Sequence, residues 1–185
     1  MDTPRASRPT RHDLEAARGS TVPDLIDSRL RVLFCGINPS LYSAAVGHHF
    51  ARPGNRFWPT LFRAGFTSRV LKPDEERELL ALGIGITNIV PRATASAAEL
   101  EPDEYRRGAV ALARKVRRWR PAIVAFVGVG AFRLAANRPL ATIGEQPERF
   151  AGARAWVLPN PSGLNAHYQL DELAALYGLV ARAMD

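Results

Sequence analysis

Four short apolar runs, each stopped by glycine or proline, constrain this chain more than any other feature. They are residues 30–35 (LRVLFC, then Gly36), 84–90 (IGITNIV, then Pro91), 122–127 (AIVAFV, then Gly128) and 155–158 (AWVL, then Pro159). Each has the length of a strand and is rich in β-branched or aromatic residues. Apolar residues are nearly continuous rather than alternating, so neither face is written for water, as in a parallel sheet covered on both sides. The covering helices are legible too. Residues 103–119 put Tyr105, Ala109, Leu112, Val116 and Trp119 on one face at helical spacing. Residues 74–82 lie between Pro73 and Gly83, the usual punctuation of a helix, residues 171–184 form an apolar-faced closing helix, and residues 13–19 a short helical turn. The predicted fold is a three-layer α/β/α sandwich around a central four-stranded parallel sheet.

A chain of 185 residues fits one domain, expected over 21–185, preceded by a basic, mobile arm over 1–20 whose prolines and arginines offer little to pack. The single cysteine, Cys35, excludes a disulfide framework and any four-cysteine metal site. His12, His48, His49 and His167 show no ligand spacing on a helix face, so neither metal nor cofactor is expected. No apolar run reaches the roughly 18–20 residues that span a bilayer, and no signal-peptide core opens the chain, which reads as cytoplasmic. The net charge of +7 favours a polyanionic partner, nucleic acid before membrane, although arginine-rich surfaces are often merely solvated.

Ligands of an open parallel sheet bind beyond the carboxyl ends of its strands. Two of the segments there are unusual. The first is GINPS, residues 36–40, which places Asn38 on a turn framed by glycine and proline. Its amide carbonyl can orient a water but cannot take the water's proton at neutral pH, which suits a reaction with a cationic transition state. A plain β-turn with asparagine as its local hydrogen-bonding residue accounts for the spacing at least as well. The second is LPNPSGLN, residues 158–165, where two prolines stiffen a loop, Gly163 permits a bend and Leu164 stands at the tip. Such a leucine is a candidate wedge into a base stack, or else a loop residue folded back on the core.

GINPS, the following HHFARPGNRFW (48–58) and LPNPSGL, in this order, resemble the mismatch-specific uracil-DNA and thymine-DNA glycosylase family. The resemblance runs from about residue 30 to 184. It implies that Asn38 positions the water attacking C1′, and that Gly36, Ile37, Ser40, Ser43 and Asn88 shape a uracil pocket in which Phe50 stacks on the flipped base. It implies that Gly163, Leu164 and Asn165 enter the duplex, with Leu164 filling the vacated space and the main chain of Gly163 and Asn165 facing the widowed guanine. Asn160, Ser162 and Arg56 would meet the DNA backbone, with Arg52 and the 114–120 basic cluster as further phosphate contacts or a solvated face. The implied enzyme is a monomeric DNA repair glycosylase acting on double-stranded DNA with mispaired uracil or related damaged bases. No lysine stands in the motifs for a Schiff base, so strand cleavage is not expected. Departures are visible: single-base uracil glycosylases have a carboxylate where Asn38 stands, the 91–98 loop holds no acid before Glu99, and Ala166 replaces an arginine found in some relatives. A non-catalytic mismatch-binding module, or a hydrolase of free nucleosides, would use the same fold differently.

Overall fold

The structure, a computed structural model, describes residues 8–184. Four strands run parallel, β1 (Val32–Gly36), β2 (Ile84–Asn88), β3 (Ile123–Val127) and β5 (Arg154–Leu158), as the apolar runs predict. A fifth, β4 (Gly144–Glu145), pairs antiparallel with β5, giving the order β2-β1-β3-β5-β4. At two residues β4 is too short to leave a periodic signature, which is why four strands were expected. The opposite edge, on β2, is partly covered by Leu25, which exchanges two backbone bonds of 2.9 Å with Ile86.

Successive strand residues point to opposite faces, and each face has its own core. Val32, Phe34, Ile86, Ala125, Trp156 and Leu158 pack with Phe57 and Leu61 of α3 (Phe57–Arg63) and Leu173, Tyr177 and Val180 of α7 (Leu170–Ala183). Leu33, Cys35, Val124, Phe126 and Val157 pack with Leu112 and Val116 of α5 (Pro102–Trp119) and Phe132 of α6 (Val129–Ala135). Burying each large side chain contributes roughly 1.5–3 kcal/mol. The three layers are therefore those expected, and no helix among the described residues is long and apolar enough to cross a membrane.

α5 is bounded by rules visible in its sequence: proline at its first position, Asp103 and Glu104 in the first turn, Arg117 and Arg118 in the last. It lies unusually close to the sheet. A Cβ added at Gly108 would stand 2.2 Å from the Ile89 carbonyl oxygen, a backbone atom that cannot step aside. Gly108→Ala should therefore destabilise the fold by about 2–3 kcal/mol, read as a fall in the thermal midpoint; an unchanged midpoint would show that α5 can lift off freely.

Two expectations need correction. The helix predicted over 74–82 is broken into a 3-10 turn (Pro73–Glu75) and the short α4 (Glu78–Ala81). Its bonds reach three residues back rather than four, as in Glu76 N–H to Pro73 O (3.2 Å) and Leu79 N–H to Glu76 O (3.1 Å). The arm is also shorter than 1–20. Residues 1–7 lie outside the described residues, but Thr10 caps α1 (Arg11–Ala16) through a box with Asp13, and Ala17 is buried. Gly19 donates to Ala93 O (3.0 Å) and Ala93 to Ser20 O (2.8 Å). These partners are distant in sequence, so composition alone could not announce them.

Because the strands are parallel, Gly36, Asn88, Val127 and Leu158 end on one edge of the sheet. α5 returns to the start of β3, so Arg117, Arg118 and Arg120 stand at the other edge, away from the segments that follow the strands. Lys115, from the same basic cluster, is paired with Asp24 at 2.6 Å.

Candidate active site

The carboxyl edge holds a cleft of about 290 Å³. Ile37, Asn38, Ser40, Ser43, Phe50, Asn88, Asn160, Ser162 and Leu164 line it, so most residues singled out in sequence meet here. Gly36 lies behind them, Gly163 and Asn165 belong to the loop at its rim, and Arg56, just before α3, holds that loop.

Asn38 follows β1 on the GINPS turn. Its Nδ2 donates to the Arg92 carbonyl (3.0 Å) and to Thr94 Oγ1 (2.7 Å). A carbonyl only accepts, and the Thr94 hydroxyl proton goes to Ser96 O (2.8 Å), so both partners demand the NH2 side of the amide. Oδ1 is left with no donor among the described residues and is open to a water. Arg92 is itself held by Glu104 at 2.6 and 2.8 Å, and its guanidinium pulls the Glu104 carboxyl down to about 2. The start of α5 thus fixes the loop that orients Asn38. Thr94 was not singled out in sequence; only the parallel bridge between Ser40 and Thr94, invisible before folding, brings it to the turn.

Below Asn38 the pocket floor depends on Gly36. A Cβ there would lie 2.6 Å from Asn88 Oδ1 and 3.3 Å from the Phe50 ring, so glycine at this position lets both approach β1. The Asn88 side chain makes no hydrogen bond among the described residues, leaving its amide available to a ligand. Phe50 adopts a left-handed backbone, φ 51°, a conformation that costs a non-glycine residue about 1 kcal/mol or more. Its ring lies flat on Phe57 with centroids 4.0 Å apart and planes at 19°. Ser40 caps α2 (Leu41–Val46) by accepting the Ser43 N–H (3.0 Å), and Ser43 Oγ accepts the Ala51 N–H (3.1 Å). Ser43 therefore braces Phe50 as well as lining the cleft.

The 159–168 loop forms the rim. Asn160 Oδ1 accepts the Ser162 N–H (3.0 Å), and Asn165 Nδ2 donates to Asn160 O (2.8 Å). Leu164 remains 77% exposed at the tip, as a wedge requires and a core residue would not. Gly163 stands in the bend expected of it, a turn closed by the Asn165 N–H on Ser162 O (2.9 Å). Its φ is not positive, so what requires glycine here is a close approach: a Cβ would meet the Gly54 carbonyl oxygen at 2.6 Å. Glycine lets the loop rest on the 51–55 segment.

Arg56 is the largest departure from expectation. It was read as a DNA backbone contact, but its guanidinium faces inward, onto the loop. It donates to the carbonyls of Pro161 (3.4 Å), Ser162 (2.7 Å), Asn165 (2.8 Å) and Tyr168. Four of its five N–H groups are used, which leaves little for a phosphate. The main chain of Asn165 is likewise occupied: its N–H donates to Ser162 O (2.9 Å) and its carbonyl receives Arg56. Of the groups expected to face the widowed guanine, only those of Gly163 are without partners among the described residues.

No aspartate or glutamate among the described residues lines the cleft. His49 does, and it is only 3% exposed. Burial pushes its imidazole below the ordinary range, so it is neutral at pH 7. Its Nε2 lies 2.9 Å from Pro23 O and therefore carries the ring proton. What the cleft offers a ligand is an aromatic face, amide groups, a placed carbonyl oxygen and a protruding leucine, with no strong base.

Comparison with known proteins bears on the family and the fold. The profile of the uracil DNA glycosylase superfamily matches residues 23–179. The solution NMR structure of a candidate uracil DNA glycosylase from Methanosarcina acetivorans superposes with a TM-score of 0.64 at 18% identity. That match covers 90% of this chain and 98% of the other, so the two share a fold. The match across the strands, the cleft and most of the closing helix carries the assignment: the chain belongs to the uracil DNA glycosylase superfamily.

Proposed function

We propose that this protein is a monofunctional DNA glycosylase that flips uracil out of U:G-mispaired duplex DNA and hydrolyses its N-glycosidic bond. The observation that carries the reading is the pinned Asn38 amide, which turns a single carbonyl oxygen toward the cleft. As the C1′–N1 bond breaks, its electron pair leaves with the uracil and C1′ becomes cationic. Water held by Asn38 Oδ1 then bonds to C1′, and its proton passes to solvent or to the departing base. A cation needs a nucleophile in place more than a deprotonated one, so an amide suffices where a carboxylate is absent.

Capture of the base precedes this step. Extruding a nucleotide costs a few kcal/mol, less for a mispair. Stacking on the free face of Phe50 returns roughly 1–3 kcal/mol, and Leu164 fills the space left in the helix.

The test is single-turnover release from duplexes with one U:G, U:A or T:G pair, alongside free deoxyuridine. Release from U:G with none from the nucleoside is expected. Mismatch binding without release would make the protein a sensor, and turnover of the nucleoside would make it a small-molecule hydrolase. The rate should change by less than about threefold between pH 7 and 9, because no carboxylate among the described residues lines the cleft and burial holds the His49 imidazole below its ordinary range. A tenfold rise per pH unit (about 1.4 kcal/mol) would mean that a general base removes the proton after all.

A further inference from the structure

We infer that Glu76, outside the cleft, is a positioning residue that sets the base-stacking face of Phe50; this rests on the reading of Phe50 as the stacking platform. Glu76 is a buried carboxylate, 8% exposed, on the tightly wound stretch before α4. Both its oxygens point at the segment that carries Phe50. Oε1 lies 3.0 Å from His48 Nδ1, and Oε2 accepts the His49 N–H at 2.9 Å. His49 is fixed from its other side by Pro23 O.

Phe50 is therefore flanked by anchored neighbours. On one side Glu76 holds residues 48 and 49; on the other Ser43 Oγ holds the Ala51 N–H. Between them the backbone is forced to φ 51°. That geometry lays the ring on Phe57 and turns its edge to Gly36, leaving the second face toward the cleft. A strained residue persists only where its surroundings over-determine it. Among the hydrogen bonds that hold those neighbours, the ones to Glu76 reach across 27 and 28 residues of sequence. Nothing marks out this one among the four acidic residues of KPDEERELL for such a role.

The variants Glu76→Ala and Glu76→Gln separate positioning from general stability. A glutamine has one acceptor oxygen for two donors, so it keeps half of the latch. Uracil release from U:G should fall by more than tenfold in Glu76→Ala and about threefold in Glu76→Gln. Affinity for a duplex carrying an abasic site, in which no base stacks on Phe50, should stay within twofold in both. The Phe50 backbone shifts and HN–Hα coupling in NMR spectra should move from left-handed to negative φ in Glu76→Ala. Release unchanged within twofold, or abasic-site affinity falling in step with release, would overturn the role. Should Glu76→Ala not fold, wild-type release by Glu76→Gln overturns it equally. If the unaltered protein releases no uracil, the glycosylase reading fails, and the Phe50 spectra alone decide whether Glu76 holds that backbone.

Discussion

Asn38→Ala should slow single-turnover release of uracil from a U:G duplex about a hundredfold, with binding of the duplex nearly unchanged. The magnitude is that of losing one preorganised polar group at a reacting centre, about 2.7 kcal/mol of barrier. Selective loss of rate follows from geometry. The Asn38 side chain is tied to Arg92 O and Thr94 Oγ1 by its nitrogen, and its oxygen has no donor among the described residues. Thr94→Val should give a smaller fall, because it removes one of the two acceptors that stop the amide from rotating. A fall of less than threefold in Asn38→Ala would mean that the water is placed by another group, with the Asn88 amide the first to examine. Equal losses in rate and in binding would instead make Asn38 a turn residue, the simpler reading of GINPS.

Arg56→Ala should be as damaging for a different reason. The change leaves the carbonyls of Pro161, Ser162, Asn165 and Tyr168 without their shared donor. Hydrogen bonds to a charged group contribute about 1.5–3 kcal/mol each, and their sum is less than additive because water can re-enter. A local loss of about 3–5 kcal/mol is expected, enough to loosen the rim and lower uracil release more than a hundredfold. Arg56→Lys should rescue little, since one ammonium cannot reach four carbonyls arranged around a planar fork. The salt dependence of DNA binding decides between this clamp and the phosphate contact read from sequence. A lost phosphate contact would lower the slope of log K against log salt by about one, with partial rescue by lysine; a lost clamp leaves the slope in place.

These two residues show how far the sequence could be read. The parallel sheet was legible because its strands are buried on both faces, and burial writes itself as continuous apolar runs. The placement of Asn38, Phe50 and Leu164 at the cleft was legible because each lies in a short motif directly after or near a strand end, where an open sheet places its ligands. The placement of Thr94 and Glu76 and the inward turn of the Arg56 fork were not. Each acts through partners at least 27 residues away, and the chemistry of arginine is the same whether its fork meets phosphates or carbonyls. Gly163 was marked for half of its part: a loop glycine suggests the bend that is there, while the close approach to Gly54 becomes visible only once the chain has folded back on itself.

The clamped rim has a consequence for how the protein would examine undamaged DNA. Ordering a slack loop costs roughly 1–2 kcal/mol of entropy per residue, and a reader that ordered its probe at every collision would spend most of its attraction to DNA on itself. Here Arg56 closes on the loop carbonyls, so on the proposed function the exposed leucine tip would meet each base pair already in shape. Encounters with sound pairs would then be brief, because arrival would require no rearrangement and departure would undo none. Selectivity would fall to the one event that still has a barrier, the yielding of a weak pair to the tip, which a rigid probe would report faithfully.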